Sequence, residues 1–265
     1  MTDAYPDGGA LATTPGAAPV RGTREPSAAR RDGSMSLSFL LLGDTLNALR
    51  RAEGPGAIEG MPALDLAKRY ASHGGAQRVL GFAAVNAITR HLFDRAGFEP
   101  RAAGGSLGDL DLGLGDRLGM IGLFPPLVPQ VLATGAALTV LELRADLAGA
   151  RDGWHVTVDA DELAGCNKIL ATSTVLLDDT LDEVLGRWRH AQRVALVGPG
   201  AACLPDPLFA RGVTLLGGSW IIDGAAFRLA LASGKPWGAF ARKFVLGADG
   251  YPGLDRLLER AAGGA

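Results

Sequence analysis

The run from Asp116 to Leu143, DRLGMIGLFPPLVPQVLATGAALTVLEL, limits what this chain can fold into more than any other stretch. It predicts a buried strand from Leu118 to Gly122, a tight loop from Leu123 to Pro126, a short helix ending at Gly135, and a second strand from Leu138 to Leu143. Short apolar runs bounded by Gly and Pro are what strands covered on both faces look like. Pro near the helix start and Gly past its end follow the asymmetry of helix termini. Strand, helix, strand is a βαβ unit, and its right-handed crossover begins a parallel sheet. Ligands of such sheets bind beyond the carboxyl ends of the strands, where the strand order reverses. That edge carries Gly122, Leu123, Phe124, Pro125 and Pro126 after the first strand, and Glu142 at the end of the second.

The alternation continues downstream. A short helix over Ala160 to Gly165 precedes a third strand, Lys168 to Thr172, whose end runs into Ser173 and Thr174. Thr180-Leu-Asp-Glu183 reads as a capping box opening a helix to His190. A fourth strand, Arg193 to Val197, is followed by Gly198-Pro199-Gly200-Ala201-Ala202-Cys203. A helix around Pro207 to Arg211 leads to a fifth strand, Val213 to Leu216, which Gly217-Gly218 separates from the apolar run Trp220 to Ile222. Helices over Ala225 to Ala232 and Leu254 to Ala262 close the chain.

Upstream, residues 1 to 34 hold too few large apolar groups to offset ordering entropy and read as a disordered leader. Residues 35 to 114 read as a small, mainly helical amino-terminal domain with a linker. One helix runs from Leu37 to Arg51. A second opens at Pro62, with Leu64, Ala67 and Tyr70 near one face, and a third carries Phe82, Val85, Ile88 and Leu92. Pro100 to Leu114 is Gly-rich and weakly patterned, so the boundary falls before the βαβ unit and residues 115 to 265 form the second domain.

A formal net charge of −2 leaves no basic face for nucleic acid or for an anionic membrane. No apolar run approaches the ~18 residues of a spanning helix, and the amino terminus lacks a signal-peptide pattern. The two cysteines, Cys166 and Cys203, are too few for a disulfide framework and fit a reduced compartment. A cytoplasmic protein is expected. A homodimer is compatible with these numbers.

Several residues invite chemistry. Glu142 lies about 20 residues beyond Gly122, where nucleotide-binding enzymes hold a ribose diol. The GxGxxG pattern is missing, however, and Pro125, Pro126 and Pro129 remove amide donors that a pyrophosphate needs. The Gly198 to Ala202 loop offers small residues and free amides, an anion cradle in outline. Asn86 lies inside the third helix, either as a core residue satisfied by backbone or as a site contact. Asp223 reads as a helix N-cap. The four histidines are scattered without zinc-ligand spacing, and no GxSxG elbow is present.

The carboxyl-terminal half resembles the DUF364 family, for which heavy-metal chelation has been proposed and which usually follows a DUF4213 domain. The resemblance is carried by LGMIGLFPPLV (118 to 128), the strand LTVLEL that includes Glu142, ILATSTVLLDDTLDEVL (169 to 185), VALVGPGAACLPDPLFARGVTLLGG (194 to 218) and Asp223. LGFAAVNAI (80 to 88) is similar to the end of the preceding domain. The resemblance implies a Rossmann-like, doubly wound, mostly parallel sheet joined to a reduced enolase-amino-terminal-like domain, with the active site in the cleft between them. Two departures stand out. The expected strand meander shrinks to Gly54–Gly60, and Gly200 replaces a Ser that commonly follows Gly-Pro in the family.

These readings combine into an α/β protein that binds a metal ion, metal complex or small anion in an interdomain cleft. Gly122, Phe124, Pro125, Glu142, Thr172, Ser173, Gly198, Pro199, Gly200 and Asn86 are the expected ligand contacts. Glu142 and Cys203 are the expected ligands of a divalent or heavy metal. The alternative is an enzyme acting on a small metabolite, with a nucleoside-containing cofactor such as a methyl donor held through Glu142.

Overall fold

In the structure, a computed structural model, residues 11–12, 34–39, 58, 61–105, 107, 109–177, 180–188 and 190–263 are described. Beyond Phe39, the helix expected to reach Arg51 lies outside the described residues. So do most of the expected leader, the shortened stretch around Gly54 and the carboxylates of Asp178 and Asp179.

In chain order, the strands are β1 (Leu11–Ala12), β2 (Ser38–Phe39), β3 (Arg101–Ala102), β4 (Arg117–Ile121), β5 (Ala137–Leu141) and β6 (Gly149–Arg151). They continue with β7 (Trp154–Thr157), β8 (Lys168–Thr172), β9 (Arg193–Val197), β10 (Leu215–Ile221) and β11 (Ala241–Gly247). Apart from the β1–β2 pair, they form one 9-stranded sheet in the order β3-β11-β10-β9-β8-β4-β5-β7-β6. The ladders from β10 through β9, β8, β4 and β5 to β7 are all parallel. Antiparallel β11 and β3 extend one side, and antiparallel β6 the other. The chain winds from β4 outward to β5 and β7, then crosses back to place β8 on the opposite flank of β4. The order therefore reverses between β4 and β8.

Both faces of the parallel core are covered, which explains its nearly unbroken apolar strands. In β9, Val194 and Leu196 enter one core while Ala195 and Val197 enter the other, the period-2 alternation of a strand. The first face packs against helices α1 (Ala63–Ser72) and α2 (Gly75–Arg95), through Leu66, Val79, Phe82 and Phe93. The second face packs against the short helix α3 (Val128–Leu132), through Val128 and Val131. The remaining helices are α4 (Leu181–Arg187), α5 (Asp206–Phe209), α6 (Gly224–Ala232) and α7 (Leu254–Gly263). Helices α1 and α2 approach closely because residue 81 is Gly: a Cβ there would lie 2.2 Å from the backbone nitrogen of Tyr70. Tyr70 then donates its hydroxyl to the Leu176 carbonyl at 2.6 Å, fastening α1 to the sheet side.

Several expectations need correcting. The segment from Ser34 runs extended rather than helical, and Leu37 is buried against Ile221 and Phe227. Leu64 does not share the buried face of α1; it is exposed, and Leu66 takes that place. The Pro100 to Leu114 stretch supplies β3, which pairs with β11, so it belongs in part to the sheet. Gly217 and Gly218 lie inside β10 instead of ending it. A Cβ at Gly218 would come within 2.5 Å of the Ala201 carbonyl and 2.7 Å of the Phe244 ring, so only Gly admits that approach. Thr180 stands at the N-cap of α4 without capping it through its side chain. None of the helices among the described residues is long and apolar enough to cross a membrane.

The amino edge of the sheet is tied by polar groups. Asp116 accepts from Lys168 Nζ at 2.9 Å, from Gly113 N at 2.8 Å and from Asn167 Nδ2 at 2.8 Å. Lys168 also donates to the Asp111 carbonyl, and Asn167 accepts from Arg117 N at 2.8 Å. The hydrogen bond from Lys168 holds the Asp116 carboxyl down at about 2, helped by Asn167 and Gly113.

Candidate functional site

The carboxyl ends of the six parallel strands reach the opposite edge, and most residues predicted to bind lie there. Gly122 ends β4 with a φ of +79°, the left-handed region open to Gly, and donates to the Leu141 carbonyl at 2.9 Å. A Cβ at Gly122 would meet Thr172 Cγ2 at 3.1 Å, so the loop after β4 touches the end of β8 directly. Thr172 Oγ1 accepts from Thr174 N at 3.3 Å and from the Thr174 hydroxyl at 3.1 Å, starting the turn Ser173–Leu176. Ser173, buried, sets its hydroxyl against the next loop: a Cβ at Gly198, whose φ is +154°, would come within 2.2 Å of Ser173 Oγ. The contacts run unbroken from β4 to β8 to β9.

Asn86 joins this rim from α2. Fully buried, it donates from Nδ2 to the Leu37 and Gly200 carbonyls, each at 2.7 Å. One amide thereby links the central helix, the extended amino-terminal segment and the loop after β9. Among the described residues its Oδ1 has no partner, nor does the hydroxyl of fully buried Ser38. Orphaned buried acceptors carry a desolvation cost of about 1–3 kcal/mol each.

Glu142 is occupied. Its Oε2 accepts from Leu123 N at 3.0 Å, and its Oε1 from Leu143 N at 2.9 Å and Arg144 N at 3.4 Å. Charge-assisted bonds of this kind are among the stronger ones. They tie the loop after β4 to the turn after β5. The expected anion cradle is also occupied. Ala201 N donates to the Gly198 carbonyl at 3.0 Å and Ala202 N to the Gly200 carbonyl at 2.9 Å, so two of its amides are spent within the turn. Phe124 packs partly against the second core, and exposed Pro125 opens the turn Pro125–Leu127, whose Leu127 is buried. Pro199 is half-buried beside Gly200.

The two expected metal ligands stand apart. Glu142 follows β5 and Cys203 lies beyond β9, and β4 and β8 intervene between those strands, a separation of about 14 Å at ordinary strand spacing. Cys203 keeps some surface but packs its side chain against the first core, where desolvation pushes the thiol up to about 12. No three His, Cys, Asp or Glu side chains among the described residues gather as a metal-holding group. Asp223 does cap α6, accepting from Ala226 N at 2.9 Å.

Ser38 is a fully buried polar residue that sequence reasoning missed. Its signal was available: Ser34-Met-Ser-Leu-Ser-Phe39 alternates polar and apolar with the period of a strand, which reading that run as a helix obscured.

Three comparisons bear on this arrangement. A family model described as "DUF364: Putative heavy-metal chelation" matches residues 107–246. An uncharacterized protein of Methanocaldococcus jannaschii is 32% identical over 152 residues, so the match spans 56% of this chain and 56% of that relative. Two crystal structures of DUF364 proteins of unknown function share the fold. The one from Pyrococcus horikoshii superposes with a TM-score of 0.61 at 21% identity, covering 80% of this chain and 84% of that one. The one from Desulfitobacterium hafniense gives 0.60 at 24%, covering 82% and 85%.

Proposed function

Because this chain belongs to the DUF364 family, we propose that it binds a small polar molecule or a metal complex at the carboxyl rim of a Rossmann-like domain. In this reading residues 115 to 265 form that domain, and residues 35 to 114 supply the helical layer that walls the cleft. What supports the reading is one observation. The strand order reverses between β4 and β8, the position where open parallel sheets take ligands. The loops flanking that reversal touch through Gly122 and Thr172, and Asn86 Oδ1, without a partner among the described residues, lies behind the next loop.

The donors present decide between ligand types. A heavy-metal ion favours thiolate or imidazole. Among the described residues, Cys203 is held protonated, Glu142 serves three backbone amides, and no three-residue ligand group exists. A bare heavy-metal ion does not fit these residues. The rim's polar side chains are neutral hydroxyls instead, Thr172 and Ser173, with the amide of Asn86 behind the next loop. Those suit a ligand that brings hydrogen-bond donors, or a metal already wrapped in its own donors. No observation favours the enzyme reading, since Glu142, its ribose contact, is already engaged.

Thermal unfolding of the full chain with free divalent and heavy metals, their citrate complexes, nucleotides and methyl donors tests the proposal. A ligand at a hundred times its Kd adds about 2.7 kcal/mol, or a rise of roughly 5–10 °C for a chain of this size. The rise is expected with a complex or a polar molecule and should shrink in Ser173→Ala. A rise with bare metal alone, or one indifferent to Ser173→Ala and Gly122→Val, would overturn it.

A further inference from the structure

The extended segment Ser34–Phe39 lies against the carboxyl edge of the sheet without belonging to it. Its strand β2 pairs antiparallel with β1, and neither joins the 9-stranded sheet. Three contacts seat the segment. Leu37, only 1% exposed, packs with Ile221 at the end of β10 and with Phe227 of α6. The Ser34 hydroxyl donates to Asp94 Oδ2 at 3.0 Å, in the last turn of α2. The Leu37 carbonyl accepts from Asn86 Nδ2, the same nitrogen that donates to the Gly200 carbonyl in the loop after β9.

This seat is built to release. Lifting the segment breaks no ladder of the 9-stranded sheet. It also returns to water the Ser38 hydroxyl, which the seated form buries without a partner among the described residues. Local openings of this kind cost far less than global unfolding. The consequence falls on Asn86. With the Leu37 carbonyl gone, one of the two bonds that fix its amide is lost, the amide is free to turn, and its hold on Gly200 weakens. Ala201 and Ala202 follow in the same turn, with amides that donate to the Gly198 and Gly200 carbonyls.

We propose that Ser34–Phe39 is a latch on the loop after β9. Seated, it holds that loop closed through Asn86; lifted, it lets the turn open and frees the amides of Ala201 and Ala202. The loop is one side of the binding place proposed above, and the latch rests on that reading for its role in ligand access. Its motion needs no ligand. Coupling of this kind is reciprocal, so whatever opens the loop also loosens the segment.

Hydrogen exchange of the unliganded full chain, read by mass spectrometry, tests the coupling. Leu37→Ala empties the apolar seat but keeps the backbone carbonyl that Asn86 holds. It should speed exchange over residues 34–39 about tenfold or more, and at Ala201 and Ala202 about threefold or more, with Lys168–Thr172 in the sheet unchanged. Ser38→Ala removes a buried hydroxyl without a partner among the described residues and should act in the opposite sense, slowing both regions. A loop whose exchange stays the same when Leu37→Ala frees the segment would overturn the latch. So would a wild-type segment that exchanges as fast as an unstructured peptide, or faster exchange in Ser38→Ala. None of these rates depends on a rim ligand, so the latch fails here and the rim reading fails in the thermal shift.

Discussion

At the amino ends of β4 and β8, Asp116, Lys168 and Asn167 bind one another and the backbone of the loop that precedes β4. At the carboxyl ends of these strands and of neighbouring β9, glycines stand where side chains would collide, and the buried Asn86 Oδ1 lacks a partner among the described residues. One edge spends its polar groups on holding the chain. The other accepts strained or incomplete positions, the expected signature of a surface shaped for something besides stability. The contrast is what the proposal of binding at the carboxyl rim rests on.

The sharpest way to break this comparison is to cut the amino-edge network. Lys168→Met leaves the Asp116 carboxylate without its cation and should cost about 3–5 kcal/mol in chemical denaturation. A loss under about 1 kcal/mol would show that the edge is not stitched as described. Gly198→Ala comes next, at about 2–3 kcal/mol, because it combines a backbone conformation that favours Gly with a collision on Ser173 Oγ. Ser173→Ala alone should cost little, and the double variant should recover part of the loss. Simple additivity would mean that the two loops do not touch.

A third effect depends on pH. The Asp116 carboxyl is held at about 2 when folded, below its ordinary 3.8. The stabilisation is complete above that ordinary value and disappears as pH falls from about 4 through 2. It amounts to about 2 kcal/mol, and Asp116→Asn should flatten that part of the acid unfolding curve. Smallest is Glu142→Gln, which keeps one of the two accepting oxygens, loses the charge and should cost about 1 kcal/mol. A loss as large as that of Lys168→Met would make Glu142 as structural as the amino edge.

The parallel core was legible because burial on both faces writes itself as short apolar runs; Lys168–Thr172 and Arg193–Val197 occur as expected, residue for residue. The strands one in from each edge were not. Trp154–Thr157 mixes two aromatic rings with a polar end, and β11 begins with charged Arg242 and Lys243, because each has a partly open face. Gly217-Gly218 looked like a turn because sequence cannot display the Ala201 carbonyl and the Phe244 ring that demand those glycines. The rim was legible as a place, since topology sends strand ends there. Its chemistry was hidden, because whether Glu142 or the amides of Ala201 and Ala202 are free depends on which backbone groups have already claimed them.

Native mass spectrometry of the full chain, purified gently from its producing cells, tests the contrast most directly. The wild type and Lys168→Met should both carry an additional bound mass, the second despite its lower stability, and Gly122→Val should lose it while remaining folded. An additional mass that survives Gly122→Val, or a wild type that carries none, would contradict the proposal of binding at the carboxyl rim.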